Sequence, residues 1–155
     1  MRSSNRPSNL RIAVIGSADA GELENRMAYQ CGRMIAEHGG ILICGGRTGI
    51  MTAAARGAWE AGGITVGILP GSDASEANEY IRIPIPTGLG HARNAVIAQS
   101  ADAVIAIAGG FGTLSEIGLA LKMGKPVFGI GTWRLDRGIH HMETPEEVIR
   151  RIFTP

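Results

Sequence analysis

The sequence predicts an α/β protein with a Rossmann-like, doubly wound and mainly parallel sheet that carries helices on both faces. Short apolar runs without polar alternation, such as residues 12–15 and 103–107, are typical of strands buried on both faces. Stretches with a 3.6-residue apolar stripe alternate with these runs along the chain. This alternation favours parallel strands joined by crossover helices.

The predicted elements follow one another in a regular order. The predicted strands are residues 12–15, 41–44, 64–69, 80–85, 103–107 and 126–130, and the predicted helices are residues 21–38, 49–61, 90–100, 113–123 and a short helix after Thr144. We expect Pro86 to stop the fourth strand, and residues 126–130 to form the last one. Thr144, Pro145 and Glu147 match a capping box, which predicts the start of the final helix.

Length and composition indicate one globular domain. The chain has 155 residues, of which 45% are hydrophobic and 19% charged. We predict a flexible arm over residues 1–9 and a single domain over residues 10–155. The polar start resembles no signal peptide, and no apolar run reaches the roughly 18 residues of a membrane span. We therefore expect a cytoplasmic protein without a membrane partner.

Charge and cysteine content exclude several other partners. The net charge is +1 and aromatic residues make up 5%, so neither electrostatics nor base stacking favours nucleic acid. Cys31 and Cys44 are too few for a disulfide framework and lack metal-type spacing. We expect no metal and no required cofactor.

The strongest motif is the glycine-rich segment GGFGTLSE, residues 109–116, which follows a predicted buried strand and opens a helix. Glycines at a helix N-terminus let backbone N–H groups approach an anion. Its candidate ligand-binding residues are Gly109, Gly110, Phe111, Gly112 and Thr113. An alternative interpretation is a capping box formed by Thr113 and Glu116, although capping alone does not explain three glycines.

Two further turns end predicted strands at the same edge of the sheet, where ligands bind in open parallel sheets. The segment GGRTG repeats the order of strand, glycine turn and helix, and Gly16-Ser17 follow the first strand. The candidate ligand-binding residues here are Gly16, Ser17, Gly45, Gly46, Arg47, Thr48 and Gly49. The alternative for the GGRTG segment is a turn that needs positive φ angles, with Arg47 as a solvated charge.

Arg93 and Glu116 are the candidate catalytic residues. A cation at a helix start opposes the helix dipole, which indicates a functional reason for Arg93. It could pair with phosphate or with Glu116, or form a surface or structural ion pair. Phosphate would repel Glu116, so this carboxylate more plausibly faces a sugar. His91 is a weaker candidate for an acid or base.

These motifs resemble the Lonely Guy family of cytokinin-riboside-monophosphate phosphoribohydrolases, also labelled lysine decarboxylase-like. GGFGTLSE matches that family's GGxGTxxE signature, and the resemblance spans about residues 10–131. It implies hydrolysis of the N-glycosidic bond of a nucleoside 5′-monophosphate, with Arg93 and Glu116 as catalytic residues. It also implies that the glycine turn at residues 109–113 is a phosphate cradle.

The chain departs from that hydrolase pattern at Ala108, Asn94 and Leu119, where the family has proline, lysine and a second acid. GLGHARN and GGFGTLSEIGLALKMGKPV are more similar to a sister group, the molybdenum-cofactor carrier proteins. That resemblance implies a bound nucleotide, phosphate or molybdopterin and no bond cleavage. The resemblance to the superfamily also implies a homodimer or larger homo-oligomer, and the apolar helix at residues 113–123 could serve such contacts.

The decarboxylase label disagrees with the composition. A pyridoxal-phosphate enzyme needs a Schiff-base lysine. The chain has only Lys122 and Lys125, which lie at the far end of a predicted helix from the expected cleft. We therefore expect a phosphorylated small-molecule ligand and no pyridoxal-phosphate decarboxylation.

Overall fold

The computed structural model describes residues 9–154, so all of the predicted arm except Asn9 lies outside the described residues. Over this range the strands are β1 Arg11–Gly16, β2 Ile41–Cys44, β3 Ile64–Leu69, β4 Ile83–Pro86, β5 Ala103–Ile107, β6 Val127–Ile130 and β7 Ile139–His141. The α-helices are α1 Glu22–Glu37, α2 Ile50–Glu60, α3 Arg93–Ser100, α4 Phe111–Lys122 and α5 Pro145–Phe153. The predicted alternation of strand and helix is confirmed.

Within the described residues the seven strands form one parallel sheet in the order β4-β3-β2-β1-β5-β6-β7. The chain starts at a central strand, builds outward to β4 and then returns to build the other half. β1 and β5 are therefore neighbours at the point where the direction of building reverses. In open parallel sheets this switch point creates the crevice that holds ligands.

Helices cover both faces of the sheet, as the doubly wound prediction requires. One core layer contains Ile12 and Val14 of β1 with buried residues of α1, α2 and α5, and the other contains Ala13 and Ile15 with residues of α3 and α4. Successive residues of β1 point to opposite faces, so a strand between two helical layers is apolar at every position. This explains why its sequence shows no alternation.

The predicted fourth strand is confirmed with a later start and end, and a seventh strand follows the one expected to be last. β4 begins at Ile83 rather than Tyr80, because residues 78–82 form a turn. Thr65 of β3 holds this turn, since its Oγ1 donates to the Tyr80 carbonyl at 2.6 Å. Pro86 lies in the strand, since an edge strand tolerates a residue without an N–H donor. β7, beyond the expected last strand, has only three residues and no apolar run.

Of the two capping boxes considered from the sequence, the structure contains one and lacks the other. At α5 the box is confirmed, because Thr144 accepts from the Glu147 N–H and Glu147 accepts from the Thr144 N–H. At α4 it is wrong: the helix begins at Phe111 after Gly110, without a side-chain cap. Glu116 therefore lies beyond the first turn, where its carboxylate has no capping role.

The helices α1 and α2 approach each other closely through two glycines. A side chain at Gly32 would collide with the Ala54 carbonyl, and one at Gly57 would collide with the Tyr29 carbonyl. The two backbones can therefore pack only if both positions lack a Cβ. This contact fixes α2, whose first turn reaches the edge of the sheet near β1.

We expect Gly32→Ala to lower the free energy of unfolding by about 1–3 kcal/mol, because the added methyl group overpacks this contact. Urea denaturation measures the change. Gly118→Ala in α4 is the matched control, since its Cβ would meet no atom within 4 Å. That control should leave stability unchanged or raise it by about 0.5–1 kcal/mol. Equal effects of the two substitutions would contradict the packing argument.

Candidate functional site

A cleft with a volume of about 270 Å³ opens at the carboxyl ends of β1 and β2, next to the first turns of α3 and α4. Its lining combines backbone of two strand ends with side chains of both helices. Of the sequence-predicted residues it contains Gly16, Ser17, Gly45, Arg93, Gly110, Gly112, Thr113 and Glu116. The structure therefore brings residues from four separate segments to one site.

The glycine turn after β5 presents open backbone to the cleft. Gly109 has φ +108°, and a Cβ there would collide with Thr113, so its glycine is required by the fold. At Gly110 and Gly112, by contrast, a Cβ would meet no atom within 4 Å. Neither packing nor positive φ explains these two glycines. Close approach of a ligand to the backbone does.

The loop after β6 holds this turn in place. Thr132 Oγ1 donates to the Ala108 carbonyl at 2.7 Å, and Trp133 Nε1 donates to the Gly110 carbonyl at 3.0 Å. Ala108 has φ +50°, an uncommon conformation for a residue with a Cβ and one that proline could not adopt. Phe111 packs on Trp133 with ring centroids 5.7 Å apart, is 82% exposed and does not line the cleft.

The glycine turn after β2 serves mainly the local fold. Gly45 lines the cleft, whereas Gly46, Arg47, Thr48 and Gly49 do not. Gly46 and Gly49 have φ of +79° and +64°, as the alternative interpretation of a turn requires. The Arg47 carbonyl accepts from Thr52 Oγ1 and Asn78 Nδ2 at 2.6 and 2.8 Å. These contacts connect the turn to α2 and to the loop before β4.

Gly16 and Ser17 form the floor of the cleft at the end of β1. A Cβ at Gly16 would lie 2.6 Å from the Ile107 carbonyl, so only glycine lets β1 and β5 end side by side. Ser17 Oγ accepts from the Asp19 N–H at 3.0 Å, and the Ser17 carbonyl accepts from the Ile50 N–H at 3.1 Å. These bonds fix the loop above β1.

Arg93 begins α3 and reaches across the cleft floor to β3. Its Nη1 donates to the Ile68 carbonyl at 3.1 Å and occupies the space that a Cβ at Gly45 would need. Burial lowers the pKa of Arg93, an effect that the nearby Glu116 carboxylate opposes. The ion pairs within 4.0 Å among the described residues do not include Arg93 with Glu116. Arg93 thus keeps guanidinium donors for another partner.

Glu116 lies in the cleft wall one turn into α4. Burial raises the pKa of its carboxyl to about 7, although the positive charge of Arg93 acts in the opposite direction. Near neutral pH the carboxyl therefore exists in both protonation states. The neutral acid can donate a hydrogen bond, and it repels an anion less than the carboxylate does.

His91, the weaker acid or base candidate, also lines the cleft. Five lining residues lie outside the set singled out from the sequence: Val14, Ile15, Ala18, Met51 and Asn94. The adjacency of Asn94 to Arg93 was the one available signal. Over residues 9–154 no group of three or more His, Cys, Asp or Glu side chains is placed to hold a metal ion, and no helix is long and apolar enough to cross a membrane. Lys125 Nζ donates to the Gln99 and Ala101 carbonyls ahead of β5, away from the cleft.

The fold and the glycine-lined cleft define a Rossmann-like protein of the Lonely Guy type, and comparison with known proteins supports this class. Residues 9–152 match the SLOG cluster4 family, and the chain belongs to that family. An uncharacterised protein of Archaeoglobus fulgidus is 44% identical over 140 residues, which cover 90% of this chain and 92% of that protein.

Two solved structures extend the comparison. The molybdenum cofactor binding protein of Rippkaea orientalis is 37% identical with a TM-score of 0.85. The superposition covers 97% of this chain and 100% of that protein. The molybdenum cofactor carrier protein of Chlamydomonas reinhardtii is 39% identical with a TM-score of 0.84, covering 92% and 96% respectively. The predicted closeness to the carrier group is therefore confirmed.

The similarity to the hydrolases is weaker. A rice protein named "probable cytokinin riboside 5′-monophosphate phosphoribohydrolase" is 34% identical over 93 residues, which cover 58% of this chain and 38% of that protein. This match is consistent with membership of the wider Lonely Guy-like superfamily, as predicted. It covers too little of either protein to carry the reaction over.

We expect Glu116→Gln to stabilise the free protein at pH 8 by up to about 2 kcal/mol and to have little effect at pH 4. The folded pKa of about 7 lies above the ordinary value of 4.5, so the wild type loses stability as pH rises through this interval. Urea denaturation of both proteins at several pH values measures the difference. A difference independent of pH would contradict the raised pKa.

Proposed function

We propose that the chain binds a phosphorylated small molecule, a nucleotide or a pterin phosphate, with its phosphate at the glycine turn of residues 109–113. In this proposal the free N–H groups at the start of α4 donate to the phosphate. The positive end of the helix dipole and the Arg93 guanidinium supply the favourable charge. The protein holds its ligand as a carrier does and requires no further cofactor.

The observation that carries this proposal is the open space at Gly110 and Gly112. Gly112 lies in the first turn of α4, where glycine costs stability relative to alanine, and no contact inside the described chain demands it there. Gly110 is the N-cap residue, a position where glycine is itself favoured over alanine, so Gly112 carries more of the argument. Thr113 supports the proposed phosphate site. Its side chain lines the cleft, is 3% exposed and has no hydrogen bond to another described residue. Its hydroxyl is available to a phosphate oxygen.

The relatives favour a carrier. Two solved proteins that this chain resembles along nearly its whole length are named for binding or carrying the molybdenum cofactor. Molybdopterin, the organic part of that cofactor, is a phosphorylated pterin. A nucleoside monophosphate also joins a phosphate to a planar heterocycle, so the same phosphate site would serve either ligand. We propose molybdopterin as the first candidate and a nucleotide as the second, in a cytoplasmic protein.

We expect Gly112→Ala to weaken binding of a phosphorylated ligand at least tenfold, because its methyl group occupies the space of the phosphate. The free protein should stay as stable as the wild type or become more stable, since alanine is the better helix former. Calorimetric titration with inorganic phosphate, AMP, GMP and molybdopterin measures the affinity. Gly118→Ala in the same helix is the control and should bind like the wild type.

Unchanged affinity in Gly112→Ala would place the phosphate elsewhere. Failure of the wild type to bind any of the four ligands would overturn the proposed function itself. Ligand binding also raises the melting temperature by mass action, which provides an independent measure of the same affinity.

A phosphoribohydrolase is the second candidate, favoured by the presence of Arg93 and a largely buried Glu116 in the same cleft. In that reaction water adds to C1′ of the ribose while the N-glycosidic bond breaks and the base leaves with a proton. Positive charge develops on the sugar ring in the transition state. A Glu116 carboxylate next to the ring would stabilise that charge.

Incubation with AMP, GMP, IMP, CMP and an N6-substituted AMP tests this reaction, with release of free base followed by chromatography. If the protein is a hydrolase, Glu116→Gln should lower the rate by about 10²-fold or more, because the transition-state charge loses its partner. Glu22→Gln, an exposed glutamate of α1, is the control and should be fully active. Absence of base release by the wild type would leave binding as the function.

We also propose a homodimer or larger homo-oligomer. The helix α4 buries one side, including Ile117 and Ala120, against the sheet and exposes Ser115, Gly118 and Lys122 on the other. Exposed apolar residues lie at the start of this helix, where Phe111 is 82% exposed, and at the β4 edge, where Ile83 and Ile85 are 43% and 41% exposed. The mass in solution, measured by light scattering, tests the proposal.

A further inference from the structure

Asn94 is a buried polar side chain in the cleft that the proposed phosphate site leaves unused. It is 9% exposed, lies in the first turn of α3 and lines the same cleft as Gly45 and Glu116. Neither its carboxamide oxygen nor its nitrogen takes part in a hydrogen bond with another residue of the range 9–154. In this range Asn25 Oδ1 is the fully buried side-chain polar atom without a partner, so the polar atoms of Asn94 reach the open space of the cleft.

The fold makes no use of these polar atoms. Ile97 and Ala98, on the following turn of α3, pack in the apolar core, and no residue of the range 9–154 bonds to the carboxamide. In the free protein water in the cleft can hydrogen-bond the Asn94 amide, and a ligand that enters the cleft would replace that water.

We propose that Asn94 determines ligand specificity by hydrogen-bonding an uncharged donor–acceptor group of the bound molecule. This inference rests on the proposed binding of a phosphorylated ligand and concerns the part of that ligand beyond its phosphate. A carboxamide is neutral and offers an acceptor beside a donor. It therefore complements a sugar hydroxyl or the adjacent N–H and C=O of a lactam ring, and it contributes no charge to phosphate binding.

The test uses Asn94→Leu, which keeps the size of the side chain, and Asn94→Ala, which leaves room for any ligand. Gln99→Leu, an exposed position on the same helix, is the control. Binding of inorganic phosphate, ribose 5-phosphate, AMP, GMP and 2′-deoxy-GMP is measured by calorimetry. The melting temperature of each free protein is measured in parallel.

We expect both Asn94 variants to bind the preferred organic phosphate at least tenfold more weakly and inorganic phosphate with unchanged affinity. Asn94→Leu should melt within about 2 °C of the wild type, because it removes no hydrogen bond of the described fold. Loss of ribose 5-phosphate affinity would identify a sugar hydroxyl as the partner. Loss shared by GMP and 2′-deoxy-GMP but not by AMP or ribose 5-phosphate would identify a lactam.

A purely structural role for Asn94 makes the opposite prediction. Asn94→Leu would then melt well below the wild type, or the variants would weaken all ligands equally, and either result would overturn the proposal. If the wild type bound no ligand of this series, the proposed function would fail on its own. The melting temperatures would then decide about Asn94 alone, since a destabilised Asn94→Leu protein would show that the fold itself uses the carboxamide.

Discussion

The site depends on the close pairing of β1 and β5, two strands separated along the chain by almost ninety residues. Gly16 pairs with Ile107 at the ends of these strands, and the Ile107 carbonyl lies where a Cβ of residue 16 would be. The loops that follow the two strands therefore begin next to each other. Because the chain leaves β1 and β5 toward opposite faces, a crevice opens between the loops, and the glycine turn of α4 borders it.

The cleft contains polar side chains that have no hydrogen-bond or ion-pair partner within the described fold. Glu116, Asn94 and Thr113 are largely buried without the ion pairs or hydrogen bonds that burial ordinarily demands. Outside the cleft the buried Thr65 hydroxyl bonds to the Tyr80 carbonyl, and Asn25 Oδ1 in α1 is a buried atom without a partner in the described range. Local conflicts of this kind concentrate at functional sites, where a ligand supplies the missing partners.

Much of this arrangement could be predicted because it follows from patterns within short segments. Continuous apolar runs predicted the central strands, and glycines after three of them predicted the edge that carries the cleft. β7 and the start of β4 were missed, because edge strands are stabilised by pairing with a neighbour and need no apolar run. Asn94 was missed as a site residue for a related reason: a single amide in a helix shows no pattern until its burial is known.

The sequence alone does not distinguish the roles of the two glycine turns. GGRTG and GGFGT look alike, yet Gly46 and Gly49 are required by positive φ, whereas Gly110 and Gly112 are required by nothing within the described chain. Only the positions of neighbouring atoms separate a turn that the fold needs from one that a ligand needs. That distinction, rather than the motif, supports placing the phosphate at α4.

The protonation of Glu116 connects binding with chemistry. A phosphate at the glycine turn would add negative charge near a carboxyl whose pKa is already about 7, and this charge would raise the pKa further. The bound state would then favour the neutral acid, which cannot stabilise positive charge on a sugar as a carboxylate does. Cleavage would therefore require Arg93 to approach Glu116 and restore its charge, whereas retention of the ligand requires no rearrangement. The separation of these two side chains in the free protein is thus the physical reason to favour a carrier over a hydrolase.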